Sequence, residues 1–236
     1  MKKLWQTEWF EIEFNTFIKT DPIHIANEKF YEKFYEKYQS YDDLPEDYKK
    51  SKISIAKDLL LFSENYNTVL SIGCGNGIIE NHIAHNSDKT ILAIEPSNNS
   101  HWIQNIKNIT SCSGYFPQCI ENEEKYQFGY CSTLDYVFND QEYNKFLQDI
   151  YNYKFEVFYF TGIFTPDEKN LKDKIKSSIR MILSKIGFYK QKEKGQFWGY
   201  LRSIDEHISF LKQIGFKNIE YGQHAHGNYW IKVYNA

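Results

Sequence analysis

Three glycines at alternate positions, Gly73, Gly75 and Gly77, follow the apolar run Thr68-Val69-Leu70-Ser71-Ile72 and lead into Ile78-Ile79-Glu80. Glycine has no Cβ, so such a loop brings backbone amides close to a ligand and turns with positive φ at little cost. The N–H groups that open the next helix are unpaired and carry partial positive charge. The chemistry this supports is the capture of a small polar molecule by backbone, with Cys74 inside the loop. A second apolar run, Thr90-Ile91-Leu92-Ala93-Ile94, ends in Glu95-Pro96-Ser97. A carboxylate at that strand tip can accept hydrogen bonds from both hydroxyls of a ribose and disfavours a phosphate in the same place. The spacing is not the dinucleotide fingerprint G-x-G-x-x-G, because Ile78 stands where that pattern needs its last glycine.

Other residues could act on a second reactant. Ser132 and Thr133 end a later apolar run and could line the same ligand through backbone or hydroxyl groups. Asp135 and Tyr136 would then face the reactant, although Asp is also a frequent helix cap. Asp135, His101, His224 and His226 are candidates to take up a proton; Asp135, Tyr136 and His224 form the expected catalytic set. The His224-Ala225-His226 alternation also admits a metal site, but no acidic cluster accompanies it, so both histidines read as solvated turn residues and no metal is expected. His82 and His85 read as surface or packing residues. Gln196-Phe197-Trp198-Gly199-Tyr200-Leu201-Arg202 offers flat rings and a guanidinium fork. With Tyr35 it suits a sugar ring or a phosphorylated or carboxylated acceptor. It equally suits a packed connector with Arg202 in an ion pair.

On these residues the chain resembles the class I S-adenosylmethionine-dependent methyltransferases. Val69 to Gly77 looks like their first motif, and Ile94-Glu95-Pro96-Ser97 like their second. The resemblance implies S-adenosylmethionine as cofactor, held by Ser71, Gly73, Cys74, Gly75, Gly77, Glu95, Pro96, Ser97, Ser132 and Thr133. It also implies methyl transfer to a small acceptor, expected to be an oxygen nucleophile on a sugar or an anionic metabolite. The family usually has Asp or Glu where this chain has Ser71, and that acid helps to hold the methionine end of the cofactor. Serine hydrogen-bonds but brings no charge. A methyltransferase-like binding or scaffold subunit without turnover is the alternative.

The elements that must position these groups alternate strand and helix from about residue 67 onward. That pattern implies an α/β fold, a mostly parallel seven-stranded sheet with helices on both faces. Strands are expected near 108–110, 128–132 and 155–160, and a closing antiparallel hairpin at 218–221 and 229–233. A helix carries Tyr143, Phe146, Leu147 and Ile150; another carries Leu171, Ile175, Ile179, Ile182 and Ile186. Ser203 and Glu206 have capping-box spacing, and Gly215 suits the end of that helix. Residues 1–62 read as a helical cap and 63–236 as the core. The cap could cover the cofactor or be a structural appendage.

Composition narrows the field. A net charge of −3 over 236 residues argues against a nucleic-acid surface, which needs a basic patch. No Asn/Asp-Pro-Pro-aromatic element follows the strand at 128–132. The four cysteines form no C-x-x-C pair and read as reduced thiols. The 19 tyrosines and 18 phenylalanines fit an aromatic-lined pocket or simple coding bias. The first residues lack the apolar core of a signal peptide and no segment has the length to cross a bilayer, so a cytoplasmic location is expected.

Overall fold

A computed structural model describes residues 2–13, 23–96, 102–120, 126–166, 196–225 and 227–234. Ser97, His101, His226 and the expected helix at 171–186 lie outside the described residues.

The chain begins with strands rather than the helices expected there. β1 (Lys2–Gln6) is followed by a hairpin of β2 (Glu8–Trp9) and β3 (Ile12–Glu13). Helices α1 (Ile23–Lys37) and α2 (Glu46–Phe62) complete the N-terminal part. Pro45 precedes α2, and Glu46 and Asp47 in its first turn complement the helix dipole. Then come β4 (Thr68–Ile72), α3 (Ile78–Asn86), β5 (Thr90–Glu95), β6 (Ile109–Ser113), β7 (Phe128–Ser132), α4 (Asp140–Tyr153) and β8 (Val157–Ile163). β9 (Gln196–Leu201), α5 (Ile204–Ile214), β10 (Asn218–Gln223) and β11 (Tyr229–Tyr234) follow.

Seven strands form one sheet in the order β10-β11-β8-β7-β4-β5-β6. β6, β5, β4, β7 and β8 run parallel; β11 runs antiparallel to β8, and β10, antiparallel to β11, runs in the direction of the five. Alternation along the strands divides the core. Val69, Ile91, Ala93 and Tyr159 face a layer built with α1, α2 and α3, whereas Leu70, Ile72, Leu92, Phe158 and Phe160 face α4 and α5. Helices therefore cover both faces, as a parallel sheet requires. The chain order reverses between β4 and β7, and the strand ends diverge there into a crevice.

Local signals set the helix boundaries. Asn139 caps α4 in a reciprocal arrangement with Glu142, and Ser203 caps α5 with Glu206. β9, a connector by one reading of its sequence, is a strand paired antiparallel with β1. Just beyond it, Arg202 is fully buried. Its guanidinium donates to the backbone oxygens of Asp135 (3.0 Å) and Phe138 (2.8 Å) and pairs with Asp140 (2.9 Å). It also lies over the Tyr143 ring, 4.5 Å from the centroid. Arg202 thus fastens the start of α5 to the turn after β7.

The cysteine expectation is corrected at one pair. Cys112 and Cys119 are joined in a disulfide, because the turn after β6 folds back and brings the two side chains together; Cys74 and Cys131 are free thiols. No described helix is long and apolar enough to cross a membrane.

Replacing Arg202 with Ala strands two buried carbonyls and leaves Asp140 without its partner. The expected loss of stability is about 3 kcal/mol, read as a lower urea midpoint. A loss below about 1 kcal/mol would mean that these bonds contribute no more than ordinary surface contacts.

Candidate functional site

β4 delivers the chain to the crevice and the glycine loop turns it back into α3. Gly73, Gly75 and Gly77 all have positive φ, at 71°, 55° and 74°. Gly77 is the N-cap of α3, and a Cβ there would collide with the side chain of Ile103. Glycine is required at 77 for backbone and space together. Gly75 N donates to Glu95 Oε2 at 2.9 Å, and Gly73 N to the Ile94 carbonyl at 2.8 Å. The loop is therefore tied to the tip of β5, and Glu95 is held at the cavity wall rather than in solvent.

The cavity encloses about 920 Å³. Gly73, Cys74, Gly75, Glu95, Pro96, Ser132, Thr133, Tyr136 and Trp198, all singled out from the sequence, line it. Ser132 and Thr133 come from the tip of β7. Thr133 has φ of 57°, an uncommon conformation for a β-branched residue and a local store of strain. The hydroxyls of Ser132 and Thr133 accept from Lys52 Nζ at 3.2 and 2.9 Å. Lys52 reaches in from α2, and loss of hydration pulls its ammonium down to a pKa of about 8.

Rings form the opposite wall. Trp9 and Phe10 come from the N-terminal hairpin, Phe30, Tyr31 and Phe34 from α1, and Trp198 from β9. Trp198 meets Trp9 and Phe30 edge to face, at 5.3 and 5.2 Å between centroids. Tyr31 reaches the glycine loop, since a Cβ on Gly75 would lie 3.6 Å from its hydroxyl. Tyr136 adds a phenol whose proton is held more tightly than usual, first by burial and then by the nearby Asp135 carboxylate.

Ser71 is buried at the root of the loop and does not line the cavity. It donates to Glu80 Oε1 at 2.5 Å, and Tyr130 Oη donates to the same oxygen at 2.5 Å. Glu80, one turn into α3, does line the cavity.

The other expected residues lie elsewhere. Asp135 is buried in a single 3-10 turn with no side-chain cap, its Oδ2 3.5 Å from His207 Nε2. His207 Nδ1 in turn lies 2.8 Å from the Tyr143 hydroxyl. His224 is buried, not solvated. Its Nδ1 lies 2.5 Å from Asp58 Oδ2 and its Nε2 2.5 Å from Thr161 Oγ1. Neither Asp135 nor His224 lines the cavity, and the Arg202 guanidinium is engaged within the fold. Tyr200 lies on β9 with its ring 5.2 Å from that of Phe197. Tyr35 meets Trp102 edge to face, one helical turn beyond the Tyr31 that does line the cavity. Among the described residues no group of three or more His, Cys, Asp or Glu is placed to hold a metal ion.

Sequence reasoning missed Lys52, Glu80 and the Trp9-Phe10 hairpin tip. The first two carried a faint signal, as charged residues beside the apolar positions Ile55 and Ile79 of their helices. The hairpin strands have two residues each, too few for an alternating pattern.

No family model matches the chain, and no curated protein matches it. Solved structures do. A DhpI–SAM–HEP complex gives a TM-score of 0.63 at 13% identity, over 92% of this chain and 100% of that one. The mitomycin 7-O-methyltransferase MmcR gives 0.59 at 11% identity, over 80% of this chain and 54% of its own. Human N-acetylserotonin methyltransferase in complex with SAM gives 0.54 at 12% identity, over 78% and 51%. This chain spans about half the length of the latter two.

The loop geometry has a testable cost. Gly77→Ala is expected to destabilise the protein by about 2 kcal/mol or more, from an unfavourable φ and a steric clash. Adding Ile103→Ala should recover only the clash, so a double-mutant cycle read by denaturant unfolding should give a coupling of about 1 kcal/mol. Additive effects would remove Ile103 from the account.

Proposed function

We propose that this chain, which has the class I S-adenosylmethionine-dependent methyltransferase fold, transfers a methyl group to an oxygen nucleophile on a small acceptor. One observation carries the reading: the glycine loop, Glu95 and the tip of β7, far apart in sequence, line a single cavity at the sheet's switch point. The residues there suit the cofactor. A glycine-rich loop lets a ligand lie close against the backbone, the strand-tip carboxylate of Glu95 suits a ribose diol, and a buried acid, Glu80, suits a cationic ligand.

When bound, S-adenosylmethionine would supply an electrophilic methyl on a sulfonium, to be exchanged for the proton of the acceptor hydroxyl with the thioether as leaving group. The chain's own share is alignment, exclusion of water and removal of that proton. In the proposed arrangement the glycine loop gives the nucleoside a close-fitting backbone surface and Glu95 holds its ribose, with Cys74 and Pro96 beside it. The rings of Trp9, Phe30 and Trp198 hold the acceptor's body and keep water out, which favours in-line alignment. Lys52 takes the proton, because an amine with a pKa of about 8 is partly neutral near physiological pH.

An acceptor with a flat or ring-shaped face suits these walls, whether aromatic or sugar. Arg202, the sequence-based reason for an anionic acceptor, is committed to the fold and gives no support to a phosphate. The net charge of −3 favours a small molecule over nucleic acid. Ser71 in place of an acid favours the competing reading, a binding subunit without turnover. Methylated product from any acceptor, lost in Gly75→Arg, would reject that alternative.

Titration calorimetry with S-adenosylmethionine and its demethylated product tests the reading directly; no binding of either at millimolar concentration would end it. Glu95→Ala is expected to weaken both by about 10- to 100-fold, through loss of charged hydrogen bonds. The catalytic rate is expected to rise with pH through about 8 and then level off, as Lys52 loses its proton. Lys52→Met should lower kcat about 100-fold and flatten that rise, while cofactor affinity stays nearly unchanged. A rise that persists in the variant would assign the proton to another group.

A further inference from the structure

The cavity holds one buried acid whose bonding is half complete. Glu80 Oε1 accepts from the Ser71 and Tyr130 hydroxyls. Its Oε2 is buried and has no hydrogen-bond partner among the described residues. An unpaired carboxylate oxygen in that setting is unfavourable until a donor arrives. Lys52, the neighbouring cation, turns its Nζ to Ser132 and Thr133 and forms no ion pair with Glu80 among the described residues. Burial pushes the Glu80 carboxyl above its ordinary range, while the two hydroxyl donors, its own backbone amide and the charge of Lys52 pull the other way. A cation placed at Oε2 would act in the same direction as those donors.

Ser71 supplies the second half of the argument. In the family this chain resembles, the strand-end position carries the acid that helps hold the methionine end of the cofactor. Here that position is neutral, and its hydroxyl is spent on orienting Glu80. Resting on the cofactor reading above, we propose that Glu80 supplies from α3 the negative charge that β4 lacks, its Oε2 receiving the α-ammonium of S-adenosylmethionine. Ser71 and Tyr130 are then positioning residues. They fix the carboxylate by its other oxygen and leave Oε2 without a hydrogen-bond partner among the described residues.

The test is E80Q, which keeps an oxygen for both hydroxyl donors and replaces Oε2 with an amide nitrogen that cannot accept. Three ligands are titrated by calorimetry into the unaltered chain and the variant: S-adenosylmethionine, S-adenosylhomocysteine and 5′-methylthioadenosine. The third has the nucleoside and sulfur but no amino-acid end. We expect E80Q to bind the first two about 10- to 100-fold more weakly and the third as the unaltered chain does. Unchanged affinity for all three would overturn the assignment and leave the cofactor reading standing. An equal loss for all three would also overturn it, because the effect would then be a disturbed cavity. Failure of the unaltered chain to bind any of the three would overturn the cofactor reading and the assignment together.

Discussion

A hydrogen bond between two strand tips holds the site in shape: Glu95, ending β5, accepts from Gly75 in the loop that ends β4. The loop has three residues in the left-handed region, and glycine is free to leave that region unless something holds it. Glu95 is the hold. With the loop fixed, Gly77 starts α3 at a set position and angle, and every side chain of the first helical turn follows from it. Glu80 reaches Ser71 because helix and strand leave the same loop.

The site then has two characters set by two sources. The sheet contributes backbone, hydroxyls and carboxylates at strand tips, where side chains leave the core and can meet a polar ligand. The N-terminal hairpin, α1 and β9 contribute rings. These rings also pack on one another, as Phe30 does with Trp9, Tyr31 and Trp198. The ring-lined wall is thus an extension of the core and not a surface patch. Its shape depends on β1 pairing with β9, two segments from opposite ends of the sequence.

What could be read from sequence was what is local. The glycine loop, the apolar run of β7, the Asn218 and Tyr229 strands and the Ser203 cap each carry their signal within a few residues. Glu95 was legible because it ends a strand next to the loop, and topology fixes that neighbour. Asp135 was misleading: its position after β7 is correct, but Arg202 and His207 draw the turn into the core, and neither partner is visible from residue 135. His224 sits in the turn between the last two strands, as its sequence implies. Its burial comes from Asp58 on α2, 166 positions away. The strands at the N-terminus were illegible for the same reason, since β1 gains its partner only when β9 arrives. Tyr35 and Tyr31 lie on one helical stripe, and only the angle of α1 against the loop selects Tyr31.

Burial acts on two ionisable groups of the cavity, Lys52 and Glu80, in opposite directions but to the same end. It lowers the Lys52 ammonium and raises the Glu80 carboxyl, moving each toward its neutral form. Two full charges of opposite sign left free in so small a space would tend to neutralise each other. Here each is held by separate partners, Lys52 by the β7 hydroxyls and Glu80 by Ser71 and Tyr130. The separation leaves the two groups free to act on different parts of whatever occupies the cavity. A serine at the strand tip is then part of this arrangement and not a loss. An acid at 71 beside Glu80 would place two carboxylates within hydrogen-bonding distance, and one of them would have to hold a proton.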